Sequence, residues 1–133
     1  MAPGDVEKTE KITVNLGLVD LGQIDLLVRE GFYANRTDFI RAAVRAQLAT
    51  RAAAVDQMMA RKTLVLGTHH LTRRDLEELR AAGRTVDIRV LGLASIADDV
   101  SPELALQTIN SIEVLGAFRA SAAVKAALRH HIV

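Results

Sequence analysis

The stretch KITVNL, residues 11–16, alternates polar and apolar side chains without interruption. A period of two over six residues, with β-branched side chains among them, predicts a half-buried β-strand. One face would carry the apolar side chains Ile12, Val14 and Leu16. The opposite face would carry Lys11, Thr13 and Asn15.

Two helices are predicted to follow this strand. The first begins at Asp20, its expected N-cap, and runs to Glu30, where Gly31 ends it. The second begins after Asn35, a favourable N-cap, and Asp38 lies in its first turn, where the helix dipole favours a negative charge. Its predicted apolar stripe consists of Phe39, Ile40, Ala43, Val44 and Leu48. The pattern allows this helix to continue through the alanine-rich residues 49–62.

A strand of six residues followed by two short helices has no strand partner of its own in the N-terminal region. Such a strand is unstable by itself and tends to pair with another chain. Antiparallel pairing with the same strand of a second copy, across a two-fold axis, is the simplest solution.

The segment GFYANRTDFIR, residues 31–41, carries a more specific pattern. A glycine followed after a few residues by Asn-Arg-Thr-Asp, two apolar residues and an arginine resembles the signature of ribbon–helix–helix repressors of the Arc, MetJ and CopG class. The resemblance covers about the first 50 residues, and it includes the alternating strand upstream. It implies an intertwined dimer with a two-stranded antiparallel ribbon that enters the DNA major groove.

The resemblance also assigns residues to the expected site. The polar strand face, Lys11, Thr13 and Asn15, would read bases, because lysine can donate to guanine and asparagine can pair with adenine through two hydrogen bonds. The start of the second helix would bind phosphate through Asn35, Arg36, Thr37 and, one turn later, Arg41. The expected dimer core is Ile12, Val14, Leu16, Phe39, Ile40 and Val44.

The C-terminal half contains a different pattern, in which a Val-Leu-Gly core occurs three times. The segments are 64–67, 89–92 and 113–116, and each precedes a helix-like stretch. Thr72 would cap a helix over 73–82 that Gly83 closes, Ser101-Pro102 would start one reaching Ile109, and Ser121 would precede one over 122–130. A spacing of about 24 residues predicts three strand–helix units with parallel strands, in a leucine-rich-repeat-like plan with glycines at the strand ends.

The predicted fold class is therefore α+β, with an N-terminal ribbon–helix–helix part and a small C-terminal α/β repeat. The predicted organisation is a flexible tail over 1–9, the DNA-binding and dimerisation domain over 10–50, a helical extension over 51–62, and an oligomerisation or sensing domain over 63–133.

Composition limits the partners and the compartment. The chain has no cysteine and a net charge of only +1, so DNA affinity would have to come from focused contacts. No apolar run is long enough for a membrane span and the N-terminus does not resemble a signal peptide, so we expect a cytoplasmic, nucleoid-associated protein that binds no membrane.

No catalytic motif is present, and we expect no enzyme and no cofactor. The acidic group Asp98, Asp99 and Glu103 is interpreted as a loop before a helix cap. His69-His70 and His130-His131 are interpreted as surface residues, because adjacent histidines form a poor chelate and the ligand pattern of the nickel-responsive branch is absent.

Two functions remain open from the sequence. The first is a repressor that binds double-stranded DNA as a homodimer, or as a tetramer or higher assembly through residues 63–133. The alternative is an antitoxin or assembly protein in which the ribbon–helix–helix part mainly dimerises. A segment that wraps a toxin is typically polar, whereas residues 63–133 are rich in Leu, Val, Ile and Ala.

Overall fold

The computed structural model describes residues 8–133. These residues form a mixed helix and strand fold, as predicted. In chain order its elements are α1 (Leu18–Arg29), α2 (Arg36–Ala49), α3 (Ala52–Lys62), β1 (Val65–Leu71), α4 (Arg73–Ala81), β2 (Val86–Ile96), α5 (Pro102–Thr108), β3 (Ile109–Arg119) and α6 (Ala122–Ala127).

The described residues divide into two compact units. One is helical and spans Lys11–Met58. The other contains the sheet and comprises Met59–Val133 together with residues 8–10. Within the sheet unit, an Arg119 Nη2 donates to the Thr9 carbonyl at 3.0 Å, which ties the segment before the helices to the last strand.

Helix α1 begins earlier than the sequence predicted. Its N-cap is Gly17, in extended conformation, and no side chain caps the helix there. Asp20 lies inside the first turn, where its charge suits the helix dipole, so its assignment as the N-cap was wrong. The C-terminal stop at Gly31 is confirmed. Gly31 has a φ of 86°, and the Phe32 amide donates to the Leu27 carbonyl, as in a Schellman motif.

Helix α2 has the predicted cap at Asn35, whose side chain accepts from the Asp38 amide at 2.8 Å. The helix does not continue through the alanine-rich stretch. It ends at Ala49, where the Thr50 hydroxyl donates to the Gln47 carbonyl at 2.6 Å and satisfies one of the terminal carbonyl groups. Helix α3 is a separate element.

Residues 11–16, predicted to be a strand, have no regular secondary structure in the single chain. A strand exists only where a neighbouring strand supplies hydrogen bonds, and the predicted neighbour is a second copy. The ribbon therefore remains a prediction.

The sheet has three parallel strands in the order β1-β2-β3, so the prediction of three parallel strands is confirmed. The three Val-Leu-Gly segments lie side by side. Val65 pairs with Val90, which pairs with Val114. The strands are longer than the predicted four-residue cores, and β2 and β3 each have 11 residues.

The glycines of these segments lie inside the strands, so their predicted position at strand ends was wrong. Gly67, Gly92 and Gly116 are in register and all have positive φ. A Cβ on Gly92 would lie 2.3 Å from the Gly67 carbonyl oxygen, and a Cβ on Gly116 would lie 2.1 Å from that of Gly92. Glycine is needed at these two positions because the preceding strand approaches the backbone so closely.

The hydrophobic core of this unit joins the sheet to the helices that follow its strands. It contains alternate residues of β2, Ile88, Val90, Ala94 and Ile96, packed with Leu76 of α4, Leu104 and Ala105 of α5, and Val124 of α6. Thr72, Ser101 and Ser121 cap these three helices as predicted. Two predicted helix ends were wrong. Ile109 begins β3 because its side chain is needed in the core, and α6 stops at Ala127, with Leu128 buried as its C-cap.

The two edges of the sheet differ. On the outer edge of β3, the Ile112 amide donates to the His131 carbonyl at 2.9 Å, and the Val133 amide donates to the Ile112 carbonyl at 2.8 Å. The segment His131–Val133 thus covers part of that edge. Strand β1 forms the other edge.

Candidate nucleic-acid interface

The predicted base-reading residues are all available for contact. Lys11, Thr13 and Asn15 are exposed, and none of them forms a hydrogen bond or ion pair with another described residue. They lie on the segment that directly precedes α1, seven, five and three residues before its first residue, Leu18.

The start of α2 has a closed capping arrangement. Asn35 Oδ1 accepts from the Asp38 amide, and Asp38 Oδ2 accepts from the Ala34 amide at 3.0 Å. The amides of Arg36 and Thr37 occupy the first two helical positions, where a helix provides no intrahelical acceptor. These two amides therefore remain for an anion, at the positive end of the helix dipole.

Arg36 has a second role that the sequence did not indicate. Its Nε and Nη2 donate to the two carboxylate oxygens of Asp25, each at 2.8 Å, and so join α1 to α2. Hydrogen bonding from Arg36, strengthened by its positive charge and only partly opposed by desolvation, lowers the pKa of Asp25. A guanidinium has five N–H donors, so Nη1 keeps donors for a phosphate while the pair holds the side chain in place.

Asp25 is thus a residue of the site that sequence reasoning missed. It lies 11 residues before its partner, on another helix. No local spacing rule connects two such positions. The only signal in the sequence is that an acidic residue occurs on a predicted helix packed against α2.

Arg41 is exposed on α2, and it has no ion pair with another described residue. It lies beyond the first turn, so it cannot share the amide site at Arg36 and Thr37 directly. A contact with a phosphate further along a nucleic-acid backbone is compatible with this position.

The residues predicted for the dimer core are mostly exposed in the single chain. Ile12 is 78% exposed and Val44 is 52% exposed, and Val14, Leu16 and Ile40 are exposed as well. Phe39 is half-buried against Tyr33, with ring centroids 5.0 Å apart in an edge-to-face arrangement. Ile24 is the single buried hydrophobic residue of the helical unit.

The remaining candidate groups have local partners. His70 Nδ1 lies 2.6 Å from the Ser95 hydroxyl, and His131 Nδ1 lies 2.9 Å from the Asn110 carbonyl. Asp99 is within 3.9 Å of Arg73. Residues 8–133 contain no group of three side chains suited to hold a metal ion, and none of their helices is long and apolar enough to cross a membrane.

Comparison with known proteins identifies a family. The model of the ribbon-helix-helix transcriptional regulator family matches residues 7–125. The chain belongs to this family. A search of curated proteins and a search of solved structures each gave no match.

The family match extends well past the first 50 residues, to which the sequence resemblance was limited. It includes all three strands of the sheet and part of α6. The family match therefore covers most of the sheet unit as well as the whole helical unit.

Proposed function

We propose that this ribbon-helix-helix family member is a repressor that binds double-stranded DNA as a homodimer. Residues 11–16 of two copies would form an antiparallel two-stranded ribbon in the major groove. Lys11, Thr13 and Asn15 would contact bases, and the start of α2, with Asn35, Arg36 and Thr37, would bind a backbone phosphate on either side.

The exposed apolar surface of the helical unit is the observation that carries this proposal. The unit buries one hydrophobic side chain, whereas Ile12, Val14, Leu16, Ile40 and Val44 are exposed. Burial of an aliphatic side chain is worth about 1.5–3 kcal/mol, so leaving five of them in water is costly. Pairing with a second copy would bury this surface, and it would also give residues 11–16 the strand partner that they lack in one chain.

Pairing would also place the polar side chains of residues 11–16 on one common surface. Because strand side chains alternate, a ribbon that directs Ile12 and Val14 into the dimer directs Lys11, Thr13 and Asn15 away from it. Two copies of these three residues would then lie on one surface, related by the two-fold axis. This matches a palindromic operator, whose half-sites are related in the same way.

The proposal is tested by selecting bound DNA sequences with the purified protein and measuring operator affinity at stated salt concentrations. Lys11→Ala combined with Asn15→Ala should abolish specific binding while the helix content and the dimer mass stay unchanged. Each base contact is worth about 1–3 kcal/mol and occurs twice in the dimer, so specific affinity should fall by at least about 100-fold.

Lys125→Ala is the matched control, because it removes one positive charge from an exposed position of α6 in the sheet unit. It should leave operator affinity within about two-fold. A double variant at Lys11 and Asn15 that still bound its operator normally would show that the ribbon does not read the bases.

The antitoxin alternative receives less support. Its C-terminal segment would have to fold around a toxin, whereas the sheet unit has a core of its own that includes Leu76, Ile88 and Val124. The described sheet and its helices favour a folded module that assembles or senses. As a DNA-binding regulator, the protein would act in the cytoplasm at the nucleoid.

A further inference from the structure

Strand β1 is an edge strand without the usual protection against pairing. Its sequence, VLGTHHL, contains no Lys, Glu, Asp, Arg or Pro. Val65 is 65% exposed and Leu66 is 70% exposed. Edge strands normally carry charges, proline or a covering segment, and a bare apolar edge is a site for adding another strand.

The opposite edge of the same sheet shows the contrast. Along β3, the segment His131–Val133 is hydrogen-bonded to both backbone groups of Ile112. Glu113 and Arg119 add charges to β3 as well. The β3 edge is thus partly covered and carries charges. Among the described residues, the β1 edge has no covering segment and no acidic, lysine or arginine side chain.

The backbone groups of β1 that point outward can be identified. The Leu71 carbonyl accepts from the Ala97 amide at 2.9 Å, and the Gly67 carbonyl lies against Gly92, so both point toward β2. Backbone groups alternate in direction along a strand. Leu66, Thr68 and His70 therefore direct their amides and carbonyls away from the sheet.

Gly67 provides a space at this edge. Gly92 and Gly116 have positive φ. At each of them, the carbonyl oxygen of the preceding strand lies where a Cβ atom would otherwise be. Gly67 has the same backbone conformation, with a φ of 125°, yet nothing lies within 4 Å of the corresponding point. Gly67 thus leaves this point of the β1 edge without a side chain, so another backbone can approach it.

We propose that β1 pairs with β1 of a second copy, antiparallel and with Thr68 opposite Thr68, to form a continuous six-stranded sheet. Thr68 is the middle residue of Val65–Leu71, so this register pairs all seven positions of both strands. The outward amides and carbonyls of Leu66, Thr68 and His70 would then all be satisfied, and Thr68 would form a hydrogen-bonded pair with its counterpart.

A second copy is the occupant favoured here because the proposed dimer would keep it tethered to the first. This part of the argument rests on the proposed N-terminal dimer, which holds two sheet units on one assembly. Only Thr63 and Leu64 separate α3 from β1, so the edge strand follows directly after the helices. A tethered strand has an effective concentration of about millimolar, which strengthens a contact that would be weak between free chains.

The cysteine-free chain allows a direct test with single-cysteine variants of the full protein. Thr68→Cys should form a disulfide between copies under mild oxidation, because Cα atoms in a hydrogen-bonded antiparallel pair are about 5.5 Å apart. Leu115→Cys is the control. Leu115 is 51% exposed and on the same sheet face as Leu66, but it lies on β3, two strands away from β1. Cross-linking should be at least ten-fold faster for Thr68→Cys.

Amide hydrogen exchange in the unmodified protein gives a second, independent measurement. The amides of Leu66, Thr68 and His70 should exchange at least 100-fold more slowly than expected for an unpaired edge. Equal cross-linking of the two variants, faster cross-linking of Leu115→Cys, or fast exchange at these three amides would overturn the proposal.

The mass and the operator binding of the reduced Thr68→Cys protein, compared with its cross-linking, separate this proposal from the proposed function. If the protein is a dimer that binds its operator but Thr68→Cys does not cross-link, β1 pairing alone is wrong. If Thr68→Cys cross-links in a protein that binds no operator, β1 pairing stands and the DNA-reading ribbon is wrong.

Discussion

The ion pair between Asp25 and Arg36 joins α1 to α2 at exposed positions. Because Arg36 donates to it through two hydrogen bonds, the pKa of Asp25 is lower in the folded chain than in the unfolded one. A depressed carboxyl pKa stabilises the folded state above the unfolded pKa of about 4, and this contribution is lost as the pH falls through the folded pKa. Helix content should therefore fall with acidification in part because this pair breaks.

Asp25→Asn tests this expectation. The variant should melt at a lower temperature than the unmodified protein at pH 7, and the difference should shrink as the pH falls through the lowered folded pKa of Asp25. Asp56→Asn on α3 is the control, because Asp56 has no partner among the described residues. A constant difference between Asp25→Asn and the unmodified protein from pH 7 to pH 2 would contradict the assignment.

At the scale of single residues, the sequence predicted what depends on near neighbours. Asn35, Thr72, Ser101 and Ser121 cap their helices as expected, because each bond spans three residues. The pair of Asp25 with Arg36 could not be predicted in this way, since it depends on how two helices pack. Asp20 was misassigned because Gly17 can cap a helix through its backbone conformation alone.

At the scale of secondary structure, the aligned glycines Gly67, Gly92 and Gly116 set the spacing of the strands. Gly92→Ala should destabilise the sheet unit by about 3 kcal/mol or more, because it combines a φ of 140° with a Cβ 2.3 Å from the Gly67 carbonyl oxygen. Gly83→Ala is the control. Gly83 also has a positive φ, of 65°, but no atom lies within 4 Å of its Cβ position, so strain alone should cost about 1–2 kcal/mol.

Urea denaturation of the two variants measures the difference. Equal losses of stability in Gly92→Ala and Gly83→Ala would mean that close approach of the strands contributes nothing, and that only backbone strain matters.

The three strands were predictable from their equal spacing, and their lengths were not. A Val-Leu-Gly core identifies where a strand lies, but the strand continues as long as a neighbour supplies hydrogen bonds. Ile109 illustrates this limit. Its position extends an apolar helix pattern, yet it pairs with β2 and belongs to β3.

At the scale of the whole molecule, the exposed apolar surface of the helical unit predicts that it pairs with a second copy. Val44→Lys should reduce the dimer to a monomer or to a much weaker dimer, because a lysine in each copy would place two charges in an apolar interface. In the unmodified protein the melting temperature should rise with protein concentration, and in Val44→Lys this dependence should be much smaller.

Leu106→Lys serves as the control, because Leu106 is an exposed apolar residue of α5 in the sheet unit. Sedimentation of both variants gives the masses directly. An unchanged dimer in Val44→Lys would place Val44 outside the interface.

Residues 11–16 show what a single chain cannot confirm about a prediction from the sequence. Alternation over residues 11–16 indicates a strand, but the same residues have no regular structure in one chain. In the proposed dimer, residues 11–16 would be paired with a second copy, and a single chain cannot display that strand.

The segment His131–Val133 has a consequence for assembly. If β1 edges join in pairs, each joined sheet presents two β3 edges to solvent, and this segment covers part of both. Hydrogen bonding across β3 is thereby blocked at Ile112, so sheets can join once and then stop. Without it, both edges would accept strands and sheets could add end to end without limit, as in a fibre. In such an assembly, these three residues would stop the sheet from adding further strands at its β3 edges.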